Sequence, residues 1–515
     1  MNLSPCARVL AIAPLVATPA LAAENLSPEA AERLGLDRAE RIELHLAGVP
    51  GEATLADVEI AGQRHWIELA PNSLRAAGFQ LIEQRDGDRY VTVEADAPLT
   101  YRGAIPTLPG VQVAASWLEG GLHARLLNED GSSLWIEPLL GRLEGATSVD
   151  YVLYHDNDVR DTGASCGLDA EVRAQSPIFD PSAVGGGEVM KGGTLKIAEL
   201  GIDADFEYFQ DYGSSNATQN QIESVINTMN LQYENDVAIT HEITTIIIRT
   251  SPSDPYSTSD PIGLLNQFVN HWNSSQGGIQ RDVAHLFTGK NLSGSVIGIA
   301  YLNAICSSFG YGLVESDCCG SFASKTDLSA HELGHNWSAD HCSCTGFTMN
   351  SFLTSANKFS PSQTIPQVIN YSNSLGCIDT GPGGPGGGEC ANTPYGVGAA
   401  TANIGTLSST DDAQLGTTWT ADFSGFPGNT AGLFIAAGTQ ASIPFGQGLI
   451  LIPYQSATAT VNVSTNSSGN GTVNVPVPNN PGLAGNSAFV QVGVLDGSFV
   501  GGYAFTNGLQ VTFCN

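Results

Sequence analysis

Residues 327–341 carry the pattern that decides the fold of this chain, and they read DLSAHELGHNWSADH. Thr326 or Asp327 can cap the start of a helix here. On that helix His331 and His335 lie four residues apart, so that both imidazoles project from the same face. Because two neutral imidazoles in this arrangement can bind Zn²⁺, the stretch predicts a metal site on a helix.

The residues that follow offer a third ligand and a base. His341 is too far along the chain to share the helical face of His335, but it would return to the metal if the chain reversed near Ser338. Asp340 is a competing third ligand, and the spacing favours His341. Three histidine ligands leave the fourth zinc position open to water, as in catalytic zinc sites. Glu332, beside the first ligand, is placed to act as the general base toward that water.

Met349 follows eight residues after His341, and its flexible apolar side chain is a candidate to pack beneath the metal site. Taken alone, a methionine in a turn is usually a core residue, and the histidines could belong to a polar, solvated helix. A chain with 10 His among 515 residues rarely contains three of them and a glutamate at this spacing by chance. The pattern therefore favours a catalytic metal centre.

Composition restricts the partners of the chain. With 20 Lys and Arg against 51 Asp and Glu, its formal net charge is −31. Such a chain lacks the basic surface that binds nucleic acid or anionic membranes. After the first 25 residues, no apolar run approaches the ~18 residues that a membrane span needs. We therefore expect no nucleic-acid partner and no membrane-spanning segment.

The N-terminus predicts export. Arg8, an apolar run and the small residues around Ala22 are typical of a signal peptide over residues 1–22. The alternative is a short membrane anchor, for which the run is too short. We expect a secreted, extracellular protein, which would pass through the periplasm if the source were a Gram-negative bacterium. Disulfide bonds would persist there.

The remaining chain divides into regions of different composition, as is usual at domain borders. The first region is residues 23–185, in which residues 23 to about 165 alternate apolar and polar side chains and so predict a β-rich structure. Residues 186–380 combine strand and helix patterns, which predicts an α+β core. A Gly/Pro linker at 381–389 leads to residues 390–515, where short β-prone runs predict a β-sandwich. Within the second region the clearest segments are the strands Leu195–Ile202 and Ile243–Ile248 and the helices Gln219–Tyr233 and Pro261–Trp272.

The motif HELGHNWSADH, followed by Met349, resembles the metzincin pattern HExxHxxGxxH with its Met-turn. Within that clan it is similar to the reprolysin (adamalysin) family, whose motif typically reads HELGHN. Residues 281–289 and 297–302 resemble the strands that lead to the family's active-site helix, and residues 135–139 resemble part of its propeptide. The resemblance implies a metzincin-like catalytic domain, a mixed twisted sheet plus helices, preceded by a propeptide over residues 23–185.

The resemblance implies that the chain is the zymogen of a secreted zinc endopeptidase that acts on proteins or peptides. We expect it to be a monomer. Residues 297–302 would then lie near the edge strand that binds an extended substrate. Two other functions stay open: a binding or adhesion protein with an inactive protease domain, and a zinc hydrolase that acts on something other than peptides.

One position departs from the family pattern. Where the family has glycine three residues after the second histidine, this chain has Ser338. Glycine tolerates the positive φ that such a turn requires. A serine with positive φ would be destabilised by about 1 kcal/mol, which a turn tied to a metal can accommodate.

Ten cysteines are present, of which Cys6 lies in the predicted signal peptide. Cys166 is the only other one before the catalytic region, and without it an even set of eight remains. We predict that its thiolate fills the open zinc position in the zymogen, like the cysteine switch of related zymogens. The alternatives are an intermolecular disulfide and an inert thiol. Activation would then require a cut between residues 167 and 193, with Arg173 and Lys191 as candidate sites.

The disulfide pairing cannot be derived from the sequence. By resemblance, Cys306 pairs with Cys377. Cys342 and Cys344 are candidates for tying the Met-turn region to Cys318 or Cys319, and a strained vicinal bridge between the latter two is an alternative. Cys390 and Cys514 bracket the last domain, and we expect a disulfide between them to staple it.

Glu199 lies in the strand pattern at 196–200, where the family often has a glutamate that binds Ca²⁺. The alternative is a buried or salt-bridged strand residue. The sequence thus predicts Zn²⁺ as the cofactor and leaves Ca²⁺ as a second, weaker prediction.

Overall fold

The structure, a computed structural model, describes residues 24–86, 89–179, 195–380, 391–396, 400–438, 441, 443–453, 459–478 and 487–514. The predicted signal peptide at 1–22, the linker at 381–389, Lys191 and Cys390 lie outside the described residues. In the part of the chain that the structure describes, no helix is long and apolar enough to cross a membrane.

Short strands dominate residues 24–179. The strands are β1 Glu24–Asn25, β2 Glu40–Ala47, β3 Thr54–Ile60, β4 Gln63–Pro71, β5 Arg75–Arg85, β6 Arg89–Val93, β7 Thr100–Ala104, β8 Gln112–Leu118, β9 Gly121–Leu127, β10 Ser133–Pro138, β11 Asp150–His155 and β12 Ser165–Cys166. Two short helices, α1 Pro28–Arg33 and α2 Ala170–Gln175, and a 3₁₀ turn at Asp156–Asp158 accompany them. The prediction of a β-rich region is correct for these residues.

Eight of these strands close into an antiparallel ring. The order is β2-β11-β10-β9-β8-β7-β4-β3, and β3 pairs back onto β2, while β1 adds to β2 from outside. Because every second side chain points to the interior, the alternation of the sequence gives the ring an apolar interior. The interior is apolar and contains Ile42, Leu44, Val113, Leu122 and Ile136, among others.

Residues 195–380 contain the helices that surround a second sheet. The helices are α3 Phe206–Tyr212, α4 Ser215–Val237, α5 Pro261–Ser275, α6 Phe322–Asn336 and α7 Thr364–Ser374. The strands are β13 Lys196–Ala204, β14 Ile239–Arg249, β15 Val283–Phe287, β16 Val296–Ala300, β17 Tyr311–Val314 and β18 Asp379–Thr380. The predicted strands within β13 and β14 and the predicted helices within α4 and α5 are confirmed.

The central sheet has the order β12-β16-β17-β15-β13-β14-β5-β6. It is mixed: β13, β14, β15 and β17 run parallel, and β16 is antiparallel to β17. Side chains of α4 and α6 pack with one face of the sheet and those of α5 with the other. The α+β architecture is therefore as predicted.

The sequence did not indicate that strands of the N-terminal region pair with the central sheet. The hairpin β5–β6 leaves the ring and pairs with β14, while β12 pairs with β16 at the opposite edge. Open sheet edges carry unpaired backbone groups, and these added strands satisfy them. Both ends of the central sheet are thus covered by residues that precede position 180.

After residue 390 the described chain is again made of strands. They are β19 Ala391–Tyr395, β20 Thr406–Ser408, β21 Ala413–Gln414, β22 Thr418–Ser424, β23 Ala431–Ala437, β24 Ile443–Phe445, β25 Gly448–Ile450, β26 Ala459–Ser464, β27 Gly471–Pro476, β28 Ser487–Leu495, β29 Tyr503–Phe505 and β30 Gly508–Cys514. They form sheets of seven, three and two strands. A shared apolar core includes Trp419, Phe423, Phe434 and Val492. The β character is as predicted, and the sandwich arrangement stays a prediction.

Candidate metal centre

The helix that carries the motif is α6. It begins at Phe322, and its N-cap is Ser321, whose hydroxyl accepts a hydrogen bond from Ser324 N. The prediction that Thr326 or Asp327 caps the helix is therefore wrong. The free N–H groups of the first turn are accepted by Ser321 Oγ, Glu137 Oε1 and Tyr154 Oη. Thr326 and Asp327 both lie inside the helix.

Three imidazoles converge beside α6. The Nε2 atom of His331 lies 3.0 Å from Nε2 of His335 and 3.3 Å from Nε2 of His341. A tetrahedral zinc ion with Zn–N bonds of about 2.0 Å needs nitrogen atoms about 3.3 Å apart, and these separations fit. The structure thus brings together the three histidines that the sequence predicts as ligands.

Backbone carbonyl groups orient the two helical histidines. Nδ1 of His331 is 2.7 Å from Thr348 O, and Nδ1 of His335 is 2.7 Å from Ala339 O. A proton on each Nδ1 donates to these oxygens, which leaves Nε2 free to bind a metal. Burial lowers the pKa of His331 to about 3 and that of His335 well below its usual value, so both rings are held neutral.

A tight turn after α6 returns the chain to the site. Ser338 adopts a φ of +74°, and Ala339 N donates to Gly334 O over 2.8 Å. The positive φ is the conformation that the family's glycine position requires. Ser338 therefore makes the turn despite its side chain.

Asp340, the competing third ligand, points elsewhere. Its carboxylate accepts hydrogen bonds from both terminal nitrogens of Arg173, at 2.8 and 2.5 Å. The group of residues whose ligand atoms lie within 4.8 Å of one another contains His341 and not Asp340. The preference for His341 from the spacing agrees with this geometry.

Glu332 is completely buried beside the imidazoles. Its Oε2 atom lies 3.6 Å from the Cys166 sulfur, and within the described residues Oε1 has no hydrogen-bond partner. Burial raises the pKa of Glu332 to about 8, although the thiol hydrogen bond opposes this shift. Burial therefore favours the protonated form of this carboxyl group.

Cys166 is the free cysteine among the described residues, and it lies over the imidazoles. Its sulfur is 3.4 Å from His335 Nε2. Backbone hydrogen bonds from Cys166 N to Ser351 O (3.1 Å) and from Gly167 N to Gly298 O (2.8 Å) hold the segment in place. The donor set of three imidazoles and one sulfur is one that zinc prefers.

Met349 is buried below α6, against Gly334. A Cβ atom at Gly334 would lie 2.6 Å from the Met349 sulfur. Only glycine therefore allows the helix and this methionine to pack so closely. Cys342 N, one residue past the third histidine, donates to Met349 O over 2.8 Å, which joins the methionine turn to the loop that carries His341.

Three disulfides occur in the described residues: Cys306–Cys377, Cys318–Cys319 and Cys342–Cys344. The first is the pair that the family resemblance implies. The predicted tie between the Met-turn region and Cys318 or Cys319 is wrong, because each of these cysteines pairs within its own short segment. Cys390 lies outside the described residues, so its predicted pairing with Cys514 is not described.

Glu199 lies on β13 beside Asp282. Its backbone N–H donates to Asp282 Oδ2 over 2.8 Å, and its carboxylate accepts from Gln280 Nε2 over 2.6 Å. Burial, together with the negative charges of Glu199 and Asp379, raises the pKa of Asp282 to about 6. The neighbourhood is acidic, and Glu199 already has a hydrogen-bond donor.

Sequence reasoning missed two residues of the site. Arg173 appeared only as a cleavage site, and no local pattern signals its pairing with Asp340. Gly298 interrupts the β-prone run 296–300, and an isolated glycine inside a strand often marks a close approach of another group. That signal could have identified Gly298.

The fold and the cluster of three histidines with a neighbouring glutamate define a zinc metalloprotease domain of the metzincin type. Residues 194–375 match the family model Reprolysin_5, described as metallo-peptidase family M12. We therefore identify this segment as a reprolysin-type domain.

Curated relatives agree with this identification. The segment is similar to disintegrin and metalloproteinase domain-containing protein 19 of Mus musculus (24% identical over 186 residues, 35% of this chain and 20% of that protein). The protein of the same name from Homo sapiens is 26% identical over 186 residues, 35% of this chain and 19% of that protein. Protein 15 of the same series from Homo sapiens is 35% identical over 95 residues, 17% of this chain and 11% of that protein. The chain therefore spans at most a fifth of the length of these relatives.

Among solved structures, metalloproteinase-II from Bacteroides fragilis aligns with 61% of this chain and 90% of its own, at 12% identity and a TM-score of 0.36. A chaperone–substrate complex aligns with 34% of each chain at 18% identity and a TM-score of 0.27. Structural likeness at this level supports no conclusion about function.

Proposed function

We propose that this chain is the zymogen of a secreted zinc endopeptidase. The observation that carries the proposal is the convergence of three Nε2 atoms beside the buried carboxyl group of Glu332. The match of residues 194–375 to a metallopeptidase family supports the same activity. Export rests on the predicted signal peptide at 1–22, and a monomer remains our expectation.

The roles of the side chains follow from their positions. His331, His335 and His341 would hold Zn²⁺, which when bound supplies a Lewis acid and water whose pKa is lowered toward ~7. Glu332 accepts the proton of the attacking water and passes it to the leaving amine. The edge of β16 offers backbone groups to which an extended peptide can hydrogen-bond. Met349 supports α6 from below and so keeps the histidines in register.

Latency would depend on the segment 165–177, which we call the strap. It combines β12 and α2. Beyond the thiol, it is held by the ion pair of Arg173 with Asp340, next to the third histidine, and by hydrogen bonds from Leu302 N to Ser176 Oγ (3.0 Å) and from Asn303 Nδ2 to Pro177 O (2.9 Å). A strap on the edge strand excludes substrate, and its thiol fills the fourth zinc position.

The position of the activating cut stays open. Arg173 lies in α2 and is paired with Asp340, an arrangement that hinders a protease from binding it in extended form. Lys191 lies outside the described residues and is the other candidate. We propose a border between propeptide and protease near residue 185, as the composition predicts.

Calcium at Glu199 is a separate and weaker proposal. Its support is the acidic neighbourhood formed with Asp282 and Asp379, and nothing in the comparisons bears on it. The zinc centre and its chemistry do not depend on this proposal.

The proposed activity is tested by metal removal together with substitution of the base. We expect the processed protein to contain one zinc per chain, to cleave casein, and to lose that activity in a chelator until zinc is restored. A Glu332→Ala variant should keep its zinc and lose about 100-fold or more of the cleavage rate. Full activity in this variant, or a wild-type protein without zinc, would contradict the proposal and favour a binding protein.

The proposed latency is tested by Cys166→Ser in the full chain. A serine hydroxyl is a weaker zinc ligand than a thiolate, so the strap is held less tightly in this variant, which should cleave peptide substrates faster than the wild type before any processing. Ser165→Ala is the matched control, because it changes the neighbouring strap residue without touching the thiol. Equal latency in all three proteins would remove Cys166 from this role without affecting the zinc assignment.

A further inference from the structure

Gly298 lies in the middle of β16, the strand that faces the metal centre. It is opposite Cys166 of the strap on one side and Val314 of β17 on the other. Its carbonyl oxygen accepts the hydrogen bond from Gly167 N. A glycine in a strand interior weakens the strand, and it often marks a place where another group comes close.

The group that comes close is Glu332. A Cβ atom at Gly298 would lie 2.5 Å from Oε1, 2.8 Å from Cγ and 2.9 Å from Cδ of that glutamate. Real Cβ atoms essentially never approach other heavy atoms within 3.0 Å. Glu332 is 0% exposed, so a methyl group at Gly298 would have to push its carboxyl group against neighbouring atoms.

We infer that Gly298 is a positioning residue for the general base: the absence of a side chain at this position is what lets the Glu332 carboxyl group lie beside the metal centre. This inference rests on the proposed role of Glu332. The three atoms nearest to the added Cβ all belong to Glu332 and none to an imidazole. A methyl group at Gly298 would therefore displace the base and leave the zinc ligands in place.

The packing half of this inference is tested in the full chain by a double-mutant cycle on thermal stability. Gly298→Ala should lower the Tm by about 3 °C or more when Glu332 is present. The same substitution in the Glu332→Ala background should leave the Tm unchanged or raise it, because the methyl group then fills the space of the missing side chain. Equal decreases in both backgrounds would overturn the inference.

The positioning half is tested on the processed protein. Gly298→Ala should keep one zinc per chain and a KM within a few-fold of the wild type, while kcat falls about 100-fold, the effect of moving a catalytic group by ~1 Å. An unchanged kcat would overturn the positioning role. If the wild type itself lacked zinc-dependent cleavage, the proposed function would fail, and the thermal cycle would still decide whether Gly298 makes room for Glu332.

Gly312 provides the matched control. It lies on the neighbouring strand β17, and a Cβ atom there would lie 2.9 Å from Ala300 Cβ rather than near Glu332. Gly312→Ala should lower the Tm equally with Glu332 present or replaced, and kcat should stay within about threefold of the wild type. A loss of kcat equal to that of Gly298→Ala would show that any overpacking of this sheet disturbs the site, which would overturn the inference.

Discussion

Ser338 shows how a single residue can carry strain at a functional turn. Its φ of +74° lies in the left-handed region, where the backbone conformation of a residue with a Cβ is less stable by about 1 kcal/mol. The turn is retained because hydrogen bonds on both sides hold it, from Ser338 N to His335 O (2.9 Å) and from Ala339 N to Gly334 O (2.8 Å). The strain is thus borne by the segment that returns His341 to the site.

We predict that Ser338→Gly raises the free energy of unfolding by about 0.5 kcal/mol. The relief of strain is partly offset by the larger conformational entropy of glycine in the unfolded chain. Urea unfolding of the full chain measures the change. Ser338→Ala is the control, since alanine keeps the strained Cβ and should give no gain. Equal gains from both substitutions would contradict the strain argument.

At this scale the structure brings together the three histidines that the sequence predicts as ligands, because helical spacing and the loop length determine their positions. Their role as zinc ligands, and that of Glu332 as the base, stay predictions. The sequence prediction failed at the helix start, since Ser321, Thr326 and Asp327 are all acceptable caps and only the surrounding structure decides among them. The pairing of Arg173 with Asp340 could also not be predicted from the sequence. That contact joins residues 167 positions apart, and nothing local specifies it.

The elements of the central sheet bury polar groups that affect stability. His285 on β15 is 0% exposed, and neither ring nitrogen has a partner within the described residues. Burial lowers its pKa to about 3, from about 6.5 in the unfolded chain. Between these two values the unfolded state binds one more proton than the folded state, so stability falls as the pH decreases through this range.

We predict that His285→Leu makes the protein less sensitive to acid. The wild type should lose about 2 kcal/mol between pH 7 and pH 5 through this residue, and the variant should not. Urea unfolding at the two pH values measures the difference. The same acid sensitivity in His285→Leu would mean that His285 is not buried in its neutral form.

Elements were predicted well where their periodicity is strong, as for α4, α5 and the alternating strands of residues 24–179. The ring of eight strands was not predictable. Its closure depends on the pairing of β2 with β3 and of β4 with β7, which side-chain alternation does not specify. The departure of the hairpin β5–β6 to the central sheet has the same cause, because edge pairing is decided by the assembled fold.

On the scale of the whole molecule, Arg125 connects the N-terminal ring to the protease-like region. It lies on β9 and is fully buried, with its guanidinium donating to Ser133 Oγ (3.0 Å) and to Asn357 O (2.5 Å). Nearby Asp156 has its pKa raised to about 6 by burial, which Arg125 opposes. Removing Arg125 would leave the buried Asp156 carboxyl group without a nearby positive charge. It would also leave Ser133 Oγ and Asn357 O without this hydrogen-bond donor.

We predict that Arg125→Ala lowers the free energy of unfolding by about 3 kcal/mol or more, as expected when one member of a buried charged network is removed. Arg38→Ala is the control: its side chain is 82% exposed and pairs with Asp158, so the loss should stay below about 1 kcal/mol. Chemical denaturation of the full chain gives both values. Similar small losses for the two variants would contradict a connecting role for Arg125.

The N-terminal region covers both edges of the central sheet, with β12 on β16 and the hairpin β5–β6 on β14. A cut after the strap would break one covalent link and leave both sets of backbone hydrogen bonds intact. We expect the severed N-terminal part to remain bound as a tight inhibitor in trans. Its lifetime on the enzyme, rather than the speed of the cut, would then set the delay before proteolysis starts.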